Sequence, residues 1–568
     1  MRLVPLLGCL LVAVEGLRTG RGRLPADTLH SNTVRDTDKV GGVVFPGPQN
    51  KGSHKHRFLN ANTTRFAVNG TNIPDVDFDV GESYAGALPI SGDPHEHNKL
   101  FFWFFPSPNK AAAKEIVIWL NGGPGCSSFE GLLQEHGPFL WRAGTYMPVR
   151  NPWSWHTLTN IVYVEQPVGT GFSKGTPTIT NEEELAGQFL GWWKNFIDTF
   201  SMQGYRVYIT GESYAGLYCP YIASAMLDAN DTTYYKVSGM MMNNAAIDVT
   251  PVMAIIPTVG FVDYWASLFP FNDTFRAHIK SVDAMCGYSE FMNAYLTFPP
   301  IANLPPLPGQ DDDGIVGYEC AYLRYDIINA ALHLNPCFDS YYITETCPRI
   351  SDVLAALGGP ASNAPGGKVY FNRDDVKAAI HAPQNISWSL CPSDNDPSIF
   401  VNYTDTSDPS TVYTLPKVID KTQNVIISHG MQDMVIPANG SLLAIQNMTW
   451  GGKLGFQNKP TEPFYVPFTN AVGEDDTWLG GWGVVGGLVS ERGLTWVGVN
   501  QAGHMVPENA PAASYRHLEY LLGRVDCMNC TKPFTVEGLQ HFGQAVGELG
   551  QGTLPQVWSD QKQEGYGS

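Results

Sequence analysis

The sequence predicts an α/β fold: a mostly parallel central sheet with helices on both faces and an inserted, disulfide-containing cap. Three observations carry that expectation. Short apolar runs with strand character alternate with helix-length segments on both sides of the chain's midpoint. One such strand runs into Gly211-Glu212-Ser213-Tyr214-Ala215-Gly216 and a helix leaves it, the turn that exposes a serine hydroxyl. Between about 250 and 365 the alternation stops, and four cysteines and a Pro-rich run replace it.

The elements follow in order. Lys99–Phe105, Glu115–Leu120 and Asn160–Val164 read as strands. A helix is predicted from Asn181, with Glu182, Glu183 and Glu184 in a first turn where the helix dipole favours negative charge. Phe189, Trp193, Phe196 and Phe200 recur at helical spacing and form its core face. Strand Arg206–Ile209, helix Leu217–Leu227 and strand Val237–Met242 come next. The insert then carries Cys286, Cys320, Cys337 and Cys347, expected to bridge one another, the prolines from Pro299 to Pro308, and Asp311-Asp312-Asp313, read as a solvated loop. Gly- and Pro-rich residues 358–367 link back to the core. Helix Asp374–Ala382, strand Asn424–Ile427, strand Leu494–Val499 and helix Pro511–Leu522 complete the sheet.

The domain reading is a signal peptide at 1–16, a pro-region or flexible arm at 17–60, core at 61–249, cap at 250–365, core again at 366–526 and a tail at 527–568. Arg2 followed by the apolar run Leu3–Val14 is a secretory signal, too short to span a bilayer. Sequons at Asn62, Asn69, Asn230, Asn272, Asn385, Asn402, Asn439, Asn447 and Asn529 fit a secreted, extracellular protein with N-linked glycans and no membrane anchor. The chain has 568 residues, 54 Asp+Glu against 35 Lys+Arg and a net charge of −19, which argues against nucleic acid as partner. Ten cysteines, one of them Cys9 in the signal, leave an odd number. Cys219, on an apolar predicted helix, is the candidate free thiol, and Cys527-x-x-Cys530 reads as a local disulfide rather than a redox or zinc site. His54/His56 and His95/His97 lack further ligands at metal spacing, so no metal or cofactor is implied.

The site reading starts at Ser213. Small residues flank it because the turn brings backbones together, and Ala215 stands where a second glycine is usual. The same six residues recur around Ser83, but charged positions precede that copy and Pro89 bars a following helix, so Ser213 is the nucleophile. A serine hydroxyl needs a base and a group to orient it. On the α/β-hydrolase order of Ser, then acid, then His, Asp433 follows strand Asn424–Ile427 and His504 follows strand Leu494–Val499, both at carboxyl ends. His429 precedes the acid and is rejected. Trp119-Leu-Asn-Gly-Gly-Pro-Gly-Cys-Ser-Ser128 follows an early strand, and its Gly123 N–H, with Tyr214 N–H, forms the expected oxyanion hole.

Together with Glu165-Gln-Pro-Val-Gly-Thr-Gly-Phe-Ser173 and Gly503-His-Met-Val-Pro507, these motifs resemble the serine carboxypeptidases, in particular the secreted fungal ones, over about residues 75–525. The resemblance implies an α/β-hydrolase fold with a cap, a Ser213–Asp433–His504 triad, and release of C-terminal amino acids from peptides and proteins at acidic pH through an acyl-enzyme. It implies that Asn121, Glu135 and Glu212, with Gly122 beside them, hold the substrate's terminal carboxylate, and that Cys126 pairs with Cys391. Glu165 replaces the family's frequent Asp. A protonated Glu212 donates to a carboxylate, and two adjacent carboxyls keep that proton. Met505 is expected in the pocket for the departing residue. Glu130 is read as a solvated helix position, the alternative being that it faces that pocket and favours basic C-terminal residues. An esterase or acyltransferase on the same scaffold is the alternative, distinguished by the carboxylate clamp. A catalytically dead binding protein is disfavoured by the filled triad positions.

Overall fold

A computed structural model describes residues 56–310, 316–348, 351–355, 368–392, 399–401, 405–467, 469, 481–536 and 539, and two short strands at 39–40 and 43–44. The signal segment, the Asp triplet, the 358–367 linker and Asn402 lie outside the described residues. The main sheet has eleven strands: β1 (Ala67–Val68), β2 (Ser83–Pro89), β3 (Lys99–Phe105), β4 (Glu115–Leu120), β5 (Asn160–Glu165), β6 (Arg206–Glu212), β7 (Lys236–Asn243), β8 (Val425–Gly430), β9 (Glu462–Val466), β10 (Gly483–Glu491) and β11 (Leu494–Val499). Their spatial order is β9-β10-β11-β8-β7-β6-β4-β5-β3-β2-β1. The central run β5-β4-β6-β7-β8-β11 is parallel throughout. Antiparallel pairs flank it on both sides.

The strands are apolar on both faces because both faces are covered. Along β3, Leu100, Phe102 and Phe104 enter one core while Phe101, Trp103 and Phe105 enter the other. In β4, Ile116, Ile118 and Leu120 face the first core and Val117 and Trp119 the second. Helices α1 (Glu182–Phe200), α2 (Ala215–Ala229), α8 (Thr414–Thr422) and α9 (Ala438–Gln446) supply the first core. Helices α7 (Asp374–Ala379) and α11 (Pro511–Leu521) supply the second, with α10 (Val506–Asn509) at the edge. The segment between β7 and β8 also carries α3 (Thr258–Tyr264), α4 (Asp273–Cys286), α5 (Tyr288–Tyr295) and α6 (Tyr318–Leu334).

Local chemistry sets the boundaries. Asn181 caps α1 by accepting from Glu184 N–H at 2.9 Å, and Phe189, Trp193, Phe196 and Phe200 are buried as the spacing predicts. Helix α7 ends at Ala379, three residues before the expected Ala382. The residue before Pro383 disfavours helix, and His381 already has φ +58°. Strand β8 runs on to Gly430, so His429 is a strand residue. Around Ser83 the chain continues as strand β2, with the Ser83 hydroxyl buried and unpartnered. Disulfides join Cys126 to Cys391, Cys286 to Cys320, Cys337 to Cys347 and Cys527 to Cys530, and Cys219 is free and buried. Among the described residues no helix is long and apolar enough to cross a membrane.

Candidate active site

Four adjacent parallel strands deliver the site's polar groups to one edge. Ser213 follows β6, Asn244 follows β7, Asp433 follows β8 and His504 follows β11. Ser213 has φ +62°, a left-handed conformation that costs a non-glycine residue energy and is held by Ser213 N–H to Asn243 O (3.0 Å) and Ala246 N–H to Ser213 O (2.9 Å). The tight spot after the serine falls at Gly216, where a Cβ would lie 2.5 Å from Ala246 O, so Ala215 is tolerated one residue earlier.

Asp433 is fully buried and surrounded by donors. Its Oδ2 accepts from His504 Nδ1 (2.8 Å) and Asn244 Nδ2 (2.7 Å), and its Oδ1 from Val435 N–H (2.7 Å) and Ile436 N–H (3.2 Å). Because Asp433 offers only acceptors, His504 carries its proton on Nδ1 and leaves Nε2 as the basic nitrogen. That Nε2 is buried and has no hydrogen-bond partner, and Ser213 does not close a bond onto it in this structure. Glycine brings the loops of acid and base together: a Cβ on Gly430 would lie 1.9 Å from Gly503 O. His504 N–H donates to Tyr341 O at 2.7 Å, and the Tyr341 ring meets the imidazole edge-on at 4.9 Å. His429 is committed elsewhere, its Nε2 to Ile436 O at 2.6 Å.

The glycine loop after β4 lies directly against the elbow. A Cβ on Gly122 would sit 2.4 Å from Tyr214 N, so only glycine allows this approach. Among the described residues neither Gly123 N–H nor Tyr214 N–H has an intramolecular acceptor, the state required of oxyanion donors. The loop is pinned by Gly125 N–H to Tyr218 OH (3.0 Å), Ser127 N–H to Leu390 O (2.7 Å) and the Cys126–Cys391 bridge. Glu165 supports it from below, accepting from Ser127 Oγ (2.5 Å), Phe172 N–H (2.6 Å) and Trp388 Nε1 (2.9 Å). Burial nevertheless pushes its carboxyl up to about 7.

Asn121, Glu135 and Glu212 converge. Asn121 Nδ2 lies 3.4 Å from Glu135 Oε1 and 3.5 Å from Glu212 Oε1. Its Oδ1 accepts from Trp119 Nε1 (2.7 Å) and Gly131 N–H (3.2 Å), which turns the amide so that the NH₂ faces the acids. The second oxygens of both glutamates are buried without partners. Burial first, then Glu130 and Glu508, raises Glu135 well above the carboxylate range, and burial first, then Glu135 and Glu130, raises Glu212 likewise. Desolvation therefore outranks the mutual repulsion expected from sequence.

One expectation is corrected. Glu130 does not sit on a solvated face: it opens the π-helical turn Gly131–His136, and its Oε2 lies 3.5 Å from Asn121 Nδ2. A π turn is wound more widely than an α turn, so the α-helical spacing assumed for a solvated face does not apply here. Met505 is half-buried beside His504 at the start of α10. Sequence reasoning missed Asn244, Trp119, Tyr341 and Glu508. Only Asn244 had a readable signal, as part of a polar Asn243-Asn244 pair at the end of an apolar strand.

Comparisons with known proteins identify the family. A family model described as serine carboxypeptidase matches residues 74–524. The chain is 48% identical over 478 residues to a probable serine carboxypeptidase of Arthroderma benhamiae, covering 82% of this chain and 88% of that protein. It is 44% identical over 490 residues to the serine-type carboxypeptidase F of Aspergillus niger, covering 83% and 89%. A crystal structure of a prohormone-processing carboxypeptidase from Saccharomyces cerevisiae matches with a TM-score of 0.64 at 21% identity, covering 84% of this chain and 99% of that one, a likeness of fold.

Proposed function

The chain belongs to the serine carboxypeptidase family and is a serine-type carboxypeptidase, and from that premise we propose that Ser213, Asp433 and His504 release C-terminal residues at acidic pH through an acyl-enzyme. The observation that carries the assignment is the Asn121–Glu135–Glu212 cluster one residue from the nucleophile. Protonated, it is an uncharged donor set for the one group that distinguishes a chain end from an internal peptide bond.

Ser213 Oγ attacks the scissile carbonyl carbon while its proton passes to His504 Nε2, and Asp433 stabilises the imidazolium. Gly123 N–H and Tyr214 N–H receive the oxyanion. His504 returns the proton to the departing nitrogen, the C–N bond breaks and the terminal amino acid leaves. Water then attacks the acyl carbon, giving its proton to His504, and Ser213 departs with that proton. Acidity suits this site because the clamp must hold protons, while four donors fix the orientation of the Asp433 carboxylate.

The protein is also read as secreted, with glycans on the exposed Asn62, Asn69, Asn230, Asn272, Asn385 and Asn529. Asn439 and Asn447 are less suited, because they are only partly exposed. Peptide mapping after glycosidase treatment checks this: modified Asn447 with bare exposed sites would contradict it. The central test is mass spectrometry of peptides digested at acidic pH. Residues should leave singly from the carboxyl end, and Ser213 should take up an organophosphonate label. Equal cleavage of a blocked dipeptide and its C-terminal amide would favour the esterase alternative.

A further inference from the structure

We propose that Tyr218 is a positioning residue for the acyl-transfer step: its hydroxyl joins the nucleophile's helix to the glycine loop and so sets the spacing of the two N–H groups that receive the oxyanion. The inference deepens the acyl-enzyme reading above and rests on it. The two donors come from different segments. Tyr214 N–H is carried by the elbow between β6 and α2, and Gly123 N–H by the loop after β4. Their separation is therefore a tertiary distance, fixed by whatever holds loop and helix together. The loop cannot fix it alone. Three of the four residues 122–125 are glycine, Gly123 and Gly125 have φ of +113° and +81°, and glycine has the widest backbone freedom of any residue.

One bond closes the gap. Gly125 N–H donates to Tyr218 Oη at 3.0 Å, both atoms buried, and among the described residues it is the only hydrogen bond from the loop's backbone to α2. The other ties lead elsewhere. Ser127 N–H goes to Leu390 O, Cys126 to Cys391, and Ser128 Oγ to Val164 O. Tyr218 stands about one helical turn beyond Tyr214, so its hydroxyl is referenced to the same turn that carries Tyr214 N–H. Its own place is well fixed: the side chain is fully buried, and the Tyr214 and Tyr218 rings meet edge-on at 5.1 Å. Burial first, then Glu182, holds its phenol well above the usual range, so it remains an un-ionised hydroxyl. Without that hydroxyl, Gly125 N–H is a buried donor with no acceptor, and a glycine-rich loop relieves this by shifting. The shift can only be outward, because Gly122 already lies so close that a Cβ on it would be 2.4 Å from Tyr214 N. Gly123 N–H then moves away from its partner donor. A misplacement of about 1 Å at a reacting centre costs about 10²-fold, and outright loss of one oxyanion donor about 10²–10³-fold. The loop is still held at Cys126 and Ser127, so the expected loss is smaller, about tenfold.

Tyr218→Phe removes that one oxygen and keeps the ring. The test measures three quantities in the parent and the variant: kcat and KM for a blocked dipeptide, inhibition by the free amino acid it releases, and inhibition by a blocked amino aldehyde beside the matching alcohol. With the aldehyde, a bond forms from Ser213 Oγ to the carbonyl carbon, the C=O π pair moves onto the carbonyl oxygen, and the serine proton reaches that oxygen through His504. The new tetrahedral oxygen occupies the hole, whereas the alcohol forms no such bond. In Tyr218→Phe, kcat should fall about tenfold with KM little changed, and the preference for aldehyde over alcohol should shrink by the same factor. The free amino acid should bind as in the parent, which reports a folded clamp. Tyr221→Phe is the control: on the same helix its hydroxyl donates to Asp408 O at 2.8 Å, so it loses a tyrosine hydrogen bond without these kinetic changes. An aldehyde preference unchanged within about twofold in Tyr218→Phe, or the same kinetic losses in Tyr221→Phe, overturns the proposal. If the parent enzyme binds the aldehyde no better than the alcohol, the acyl-enzyme reading itself is what fails, and the proposal falls with it.

Discussion

Raising the pH should weaken binding of a peptide's free carboxyl end without touching the chemistry. The perturbation is removal of the proton held between Glu135 and Glu212. Both groups are raised well above the ordinary carboxylate range, chiefly by burial, so they hold protons in acid and give them up only at a pH well above that of an exposed carboxyl. Below that transition the pair can donate to the substrate carboxylate through the oxygens that have no partner in the protein. Above it, the donor is lost and like charges face each other. One hydrogen bond to a charged group contributes about 1.5–3 kcal/mol, so losing it should raise KM roughly ten- to hundredfold. The assay is steady-state hydrolysis of a blocked dipeptide from about pH 4 to about pH 8, beside its C-terminal amide. KM for the acid should climb while KM for the amide changes little. Glu212→Gln keeps an N–H donor that does not titrate, so its KM should be flatter. A flat KM for the parent enzyme across that range would refute the reasoning.

Three further expectations follow from the same geometry. Asn244→Ala removes one of the four donors on Asp433, so kcat should fall about tenfold with KM little changed; unchanged kcat would mean Asn244 does not position the acid. Folding stability should peak between about pH 4.5 and about pH 6.5. Glu135, Glu165, Glu182 and Glu212 have raised folded values, so their contribution is full below the unfolded carboxyl value and is lost as pH rises through the folded one. His136, His156 and His517 are lowered by burial, so theirs is lost as pH falls below the unfolded imidazole value; a melting temperature still rising above pH about 7 would contradict this balance. Cys219, fully buried against Gly211, should be inert to a thiol reagent in the native protein and titrate as one thiol in denaturant for a chain lacking residues 1–16.

The sequence by itself determined the sheet, the elbow and the order of the triad, because each is written in neighbouring residues. Two-sided apolar runs such as Lys99–Phe105 require a covered sheet, and Gly211-Glu-Ser-Tyr-Ala-Gly216 can turn only where small residues flank it. The copy at Ser83 fails for an equally local reason, since its chain continues as strand. Tertiary structure decided the rest. Asn121 and Glu212 are 91 positions apart, and Asn244 and Asp433 are 189 apart, so no local pattern records that they touch. Glu130 lies beside Asn121 at the head of a π-helical turn, a local winding that residue spacing does not record. The protonation of the clamp depends on how completely the folded chain excludes water, and desolvation, unlike periodicity, is a property of the space around a residue rather than of the residues beside it.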